Sequence, residues 1–132
     1  MQENLPPQEQ VYTLIGQFLI DTVPDDFIEA WIRTEMIEDV RSISVFYKKP
    51  QGSYGYINES IEELEEHFQT LRLIYKKNTN SAWTTATFHL SKDFKMSLDL
   101  GYEDISDFGL SSERRETWIK HNLGETAQID WY

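Results

Sequence analysis

An α+β domain in the order α-ββ-α-ββ-α, with a mostly antiparallel sheet covered by helices on one face, follows from three observations. Three segments repeat apolar or capped positions with the helical period, and two pairs of segments alternate with period two. Each pair is joined by a connection too short for a parallel crossover. At 132 residues the chain has the length of one domain able to bury a real core. Residues 1–7 read as a flexible polar leader and 8–132 as a single domain.

The first helix runs over about residues 8–22. Val11, Leu14, Ile15, Phe18 and Leu19 recur at i, i+3, i+4, i+7, i+8, and Pro24 marks the far boundary. From Asp26 the period changes to two. Ile28, Ala30, Ile32, Thr34 and Met36 alternate with Glu29, Trp31, Arg33 and Glu35, the pattern of a half-buried strand. "IEDVR" leads into a second strand, 41–49, with Ile43, Val45 and Tyr47 on one face, and "PQGSYGY" stops it.

"SIEELEEHFQTLRLIYKKN" predicts a second helix. Ser60 and Glu63 form a capping box, Ile61, Leu64, Phe68, Leu71 and Ile74 or Tyr75 form the stripe, and Lys76 and Lys77 answer the C-terminal dipole. "AWTTATFHL" and "FKMSLDL", separated by "SKD", predict a second hairpin with Ala86, Phe88 and Leu90 against Phe94, Met96 and Leu98. "SSERRETWIKHNLG" closes the order as a short helix with Ser111 or Ser112 as cap and Gly124 as stop. The core is expected from the first helix with Ile28, Ile32, Val45, Phe68, Leu71, Phe88, Met96 and Leu98.

Composition narrows the function. With 23 acids against 12 Lys plus Arg, the formal net charge is -11, which argues against direct nucleic-acid binding and for a basic protein partner. No apolar run reaches the ~18 residues of a membrane span, and the N-terminus has no targeting pattern. The absence of cysteine fits a reducing cytoplasm. Acids collect in 1–40, 59–67 and 99–132, bases at Arg41, Lys48, Lys49, Arg72, Lys76, Lys77, Lys92 and Lys95, so a polarised molecule is expected.

Asp99, Glu103, Asp104 and Asp107 crowd one stretch where a strand runs into a helix. Their spacing does not match a calcium loop, and His67, His89 and His121 form no zinc pair, so neither a metal nor a cofactor is expected. Nucleophile-elbow, P-loop and dinucleotide fingerprints are missing. A crowded polar turn does not raise a carboxyl pKa as a general acid requires, so no catalytic residue is assigned. In the second helix Glu62, Glu63, Glu65 and Glu66 have no Lys or Arg at i+3 or i+4, leaving their charge free. Phe27, Trp31 and Phe46 fall opposite the apolar stripes, Tyr102 and Phe108 bracket the acidic loop, and the chain ends in "DWY". Aromatics beside carboxylates are what interfaces enrich at their anchors.

"LIDTVPDDF", "VFYKKP", "AWTTATFHL", "FKMSLDLGYEDISD" and "ERRETWIKHNLG" together resemble the YezG-like immunity proteins, a bacterial antitoxin family, over about residues 11–124. The most specific part is Tyr102, Glu103, Asp104, Ser106 and Asp107 ahead of Glu113, Arg114 and Trp118. The loop departs from the family in reading "FGLSSE" where an Asp-Phe-Asp-Pro-type run is common. The resemblance implies a small cytoplasmic protein that neutralises a cognate secreted toxin, often a nuclease, by binding it. Tyr102, Glu103, Asp104, Asp107 and Glu113 are the expected contacts; the Glu62–Glu66 helix, or Asp25, Asp26 and Glu29, are alternatives. A small carboxylate-dependent hydrolase, with or without a metal, and an acidic adaptor domain are the other readings. The sequence leaves the oligomeric state open.

Overall fold

In a computed structural model of the protein, residues 5–38 and 40–131 are described. The order is α1 (Gln8–Thr22), β1 (Glu29–Met36), β2 (Arg41–Lys48), β3 (Tyr54–Ile57), α2 (Glu62–Thr79), β4 (Thr85–Ser91), β5 (Met96–Gly101), a 3-10 turn (Phe108–Leu110), α3 (Ser111–Asn122) and β6 (Ile129–Asp130). One six-stranded sheet has the order β5-β4-β1-β2-β3-β6, antiparallel except for the β3–β6 pair. The α+β class and both hairpins follow the sequence pattern. The short strands β3 and β6 do not, because neither is long enough to show a period and each depends on its neighbours for pairing. Of the leader, residues 1–4 lie outside the described residues, as do Asp39 of "IEDVR" and Tyr132 of "DWY".

β1 is the centre of the sheet, and seven of its eight residues are buried. Its Ala30, Ile32, Thr34 and Met36 face α1 and α2, where Val11, Ile15, Leu19, Leu64, Phe68, Leu71, Trp83 and Phe88 complete the main core. The opposite face is also covered. Trp31, Phe46 and Tyr54 pack under Ile119 of α3 and Leu123, the residue that caps its C-terminus, forming a second cluster. Helices therefore lie on both faces; Trp31 and Phe46 lie opposite the apolar stripes as expected but are buried there, whereas Phe27, expected with them, is buried in the main core instead. Alternation alone cannot distinguish a solvated face from one roofed by an aromatic layer, because Trp and Phe are compatible with both.

Three local expectations are corrected. Glu65 N–H donates to Ile61 C=O, so Ile61 is the N-cap of α2 and no side chain caps it. Ser60 has φ 56°, outside the extended geometry that a capping hydroxyl needs, and the Ser60–Glu63 box does not form. The third helix likewise has Leu110 as N-cap rather than Ser111 or Ser112. In the second hairpin Phe94 belongs to the turn, donating its N–H to Ser91 C=O, and the apolar pairs are Ala86/Leu100, Phe88/Leu98 and Leu90/Met96.

Ile32, Val45, Phe68, Leu71 and Phe88 are in the core. Ile28 is exposed just before β1, where the sheet ends. Met96 is exposed on the edge strand, and Leu98 is only half-buried. Among the described residues no helix is long and apolar enough to cross a membrane.

Candidate partner-binding surface

The acidic segment leaves β5 at Gly101 and is pinned rather than free. Thr84 Oγ1 donates to the carbonyl of Glu103 at 2.7 Å and lies 3.3 Å from that of Gly101. Ile105 turns inward and is 1% exposed, so a single apolar residue seats a loop whose other members point out. Asp104 accepts from Ser106 N–H at 2.9 Å, and Asp107 accepts from Gly109 N–H at 3.0 Å, which caps the 3-10 turn leading into α3. These are local Asx contacts of the kind that fix a turn.

The remaining tie is electrostatic and buried. Glu35, 2% exposed on β1, accepts from Arg114 Nε at 2.5 Å and Nη2 at 3.2 Å, and from Ser111 Oγ at 3.1 Å. Arg114 also donates through Nη1 to the carbonyl of Asp107 at 3.1 Å. One carboxylate thereby fastens both the loop and the first turn of α3 to the sheet. Arg33, two residues along the same face and 3% exposed, places Nη2 2.9 Å from Glu35 Oε2 but out of hydrogen-bond alignment. Burial lowers the Arg33 pKa, with Glu35 pulling it back up and Arg115 and Arg114 adding to the lowering. The Arg114 pKa moves upward, chiefly through its hydrogen bond to Glu35.

Further along α3, Trp118 stacks on Phe46 with centroids 5.3 Å apart and donates Nε1–H to Thr87 Oγ1 at 2.8 Å. Arg114 and Trp118 are four residues apart and so share a helix face, one clamping β1 and the other β4. Between that face and the sheet runs an open groove of about 410 Å³, with Glu103 and Glu113 among its lining residues, together with Leu110, Thr117 and His121.

The expected residues are thus brought to one end of the molecule. Tyr102 is 55% exposed, the Glu103, Asp104 and Asp107 residues are exposed, and Glu113 stands in the first turn of α3. The Ser106 hydroxyl, then its N–H, hold the Asp104 carboxyl below its ordinary value, so it stays ionised. That direction is opposite to what a general acid needs. Among the described residues no three His, Asp or Glu side chains converge as metal ligands would. The surface is suited to presenting fixed negative charge.

The alternative acidic surface is less free than its sequence suggests. Glu65 pairs with Arg41 of β2 at 2.8 Å, and Glu63 lies 3.6 Å from His67. Sequence spacing within the helix could not show the first of these, because Arg41 comes from a neighbouring strand. The buried Arg33–Glu35–Arg114 group was also missed. Its only signal was two opposite charges on one face of the central strand, followed far along the chain by "ERRETW".

A family model described as immunity protein YezG-like matches residues 53–131, from β3 through the acidic loop and α3 to β6. The chain is 26% identical over 137 aligned residues to an immunity protein YezG of Bacillus spizizenii, covering 92% of this chain and 85% of that protein. It is 26% identical over 132 aligned residues to an immunity protein YezG of Bacillus subtilis, covering 88% and 87% respectively.

Proposed function

Because this chain belongs to the YezG-like family of immunity proteins, we propose that it binds a cognate toxin domain in the cytoplasm and neutralises it without a reaction of its own. The toxin is a nuclease, and the contact is made by Tyr102, Glu103, Asp104, Asp107 and Glu113 against a basic surface. The observation that carries this reading is the combination of outward carboxylates with inward fixation. Ile105, Thr84 and the Arg114–Glu35 pair hold the loop while its acids remain in solvent.

Such an arrangement suits association between unlike charges. A net charge of -11 steers a basic partner into encounter, and a pre-fixed loop spares the ordering entropy that a mobile one would pay on docking. Tyr102 supplies an exposed aromatic ring beside the charges, the residue type that concentrates affinity in interfaces. A nuclease whose phosphate-binding surface is basic presents the matching chemistry.

The test is a titration of the cognate toxin domain with this protein, reading cleavage of a nucleic-acid substrate and co-elution at low and at high salt. Stoichiometric loss of cleavage with a salt-sensitive complex is expected. A toxin that remains fully active in a stable complex would remove the inhibitory role, and no complex at low salt would remove the proposal altogether.

A further inference from the structure

We propose that this protein self-associates through the free edge of β5, forming a two-fold dimer in which the sheets of two copies become continuous. The inference concerns the backbone edge of β5, which runs up to the acidic loop at Tyr102, and does not rest on the immunity reading.

β5 is the outermost strand on its side of the sheet. Ser91 N–H donates to Lys95 C=O, and the β4–β5 register continues as His89/Ser97, Thr87/Asp99 and Thr85/Gly101. In an antiparallel ladder these alternate residues turn their backbone groups toward β4. The N–H and C=O groups of Met96, Leu98 and Leu100 therefore point to the open side, and among the described residues no strand pairs with that edge. Exposed edges are templates for another strand, and proteins that need to stay apart blunt them with proline, bulges or inward-pointing charge. β5 contains no proline, and the only charge within it is Asp99.

The edge is complementary to itself. Antiparallel pairing of two copies about Ser97 places Met96 opposite Leu98 of the second copy, twice by symmetry, joining their outward backbone groups in register, and brings the exposed Phe94 of the turn beside its Leu100. The same register puts Lys95 opposite Asp99 of the second copy, twice by symmetry. These fall at non-hydrogen-bonded positions, where cross-strand side chains approach most closely. Within one copy, Asp99 has no ion pair among the described residues, and Lys95 has only Asp93 at 3.6 Å in solvent. A register displaced by two residues toward the C-terminus would lose both ion pairs, aligning Lys95 with Gly101.

Two exposed apolar residues gain cover. Met96 is 46% exposed and Phe94 58% exposed. Phe94 has φ 65°, a left-handed position that costs a bulky residue strain and normally takes glycine or asparagine. The polarity of the chain favours the same arrangement. Two-fold pairing brings the Lys92–Lys95 turn of one copy to the Tyr102–Glu103 end of the other, basic against acidic. An interface built on one short strand is small, and a net charge of -11 on each copy opposes it, so the dimer belongs to the weak, concentration-dependent class.

Sedimentation velocity from micromolar to millimolar concentration at physiological salt tests this. The wild type is expected to move reversibly from the 15.6 kDa monomer toward twice that mass. Asp99→Lys sets lysine against lysine at both ends and is expected to hold the protein monomeric. Lys95→Asp with Asp99→Lys restores opposite charges and is expected to restore the dimer. Met96→Pro removes an outward N–H without breaking a β4 bond and is expected to abolish pairing, with circular dichroism confirming that each variant is folded. A wild type that stays monomeric at every concentration overturns the proposal, including the case in which Met96→Pro instead weakens capture of a toxin domain, which would assign the edge to that partner. A dimer indifferent to Asp99→Lys overturns the register, and one that also survives Met96→Pro overturns the edge.

Discussion

Replacing Glu35 by glutamine keeps the shape of the side chain and removes the one negative charge that Arg33 and Arg114 share. Glu35 and Arg33 are almost wholly buried, so water cannot take over as counter-charge. Breaking a buried ion pair by removing one partner costs about 3–5 kcal/mol. The lower end applies, because Arg114 keeps a route to solvent and to Glu103 and Asp107, whose charges already act on it. A loss of ~3 kcal/mol is a large share of the ~5–15 kcal/mol of a domain and lowers Tm by roughly 10 °C for a chain of this length. Urea titration followed by tryptophan fluorescence measures it as a midpoint lowered by ~1–3 M with unchanged m. Arg114→Met should cost less, about 1–2 kcal/mol, since Arg33 remains beside Glu35. If Glu35→Gln changed stability by less than ~0.5 kcal/mol, the level of an ordinary surface substitution, the pair would not be what ties α3 and the loop to the sheet.

Trp118→Phe keeps the stack on Phe46 but loses the bond to Thr87, and should lower stability by about 1–2 kcal/mol in the same titration. Ser60→Gly should stabilise the protein by up to ~1 kcal/mol, because glycine relieves the positive φ; a capping serine would make the same change slightly destabilising. Tyr75 hydrogen-bonds to Tyr12, and its hydroxyl is pushed up to about 12 from 10.0, first by burial and then by that bond. Its neutral form is favoured by folding, so this contribution is complete below pH 10.0 and is lost as pH rises toward about 12. Tyr75→Phe should therefore flatten the fall in stability over that interval, seen as a smaller difference in urea midpoint between its two ends. Gly55→Ala should destabilise by about 1–3 kcal/mol, since a Cβ there would overlap the outer end of the half-buried Tyr47 ring on the neighbouring strand and force it to move, and thermal melting would show it.

What could be read from sequence was whatever repeats. The α1 stripe at Val11, Ile15 and Leu19 and the alternation of Ala86, Phe88 and Leu90 gave their elements directly, since period and burial coincide there. The second layer could not be read the same way. Trp31 and Phe46 signal either solvent-facing anchors or a buried face, and only the docking of α3 decides. The acidic loop was legible because Glu103, Asp104 and Asp107 are close in sequence, whereas its fastening depends on Glu35, which is remote in sequence from Arg114. Four-stranded hairpin logic also missed β3 and β6, whose pairing is set by the chain's return to the far edge.

The most direct test of the functional account is the association rate of the cognate toxin domain with a triple charge reversal, Glu103→Lys, Asp104→Lys and Asp107→Lys, measured by stopped flow at low and high salt. A matched reversal of Glu62, Glu63 and Glu66 on α2 serves as the control for total charge. The loop variant is expected to lose most of both the fast, salt-dependent association and the inhibition, while the α2 variant keeps inhibition with only a modest slowing. Equal losses from the two variants, or undiminished inhibition by the loop variant, would contradict it and move the interface elsewhere on the molecule.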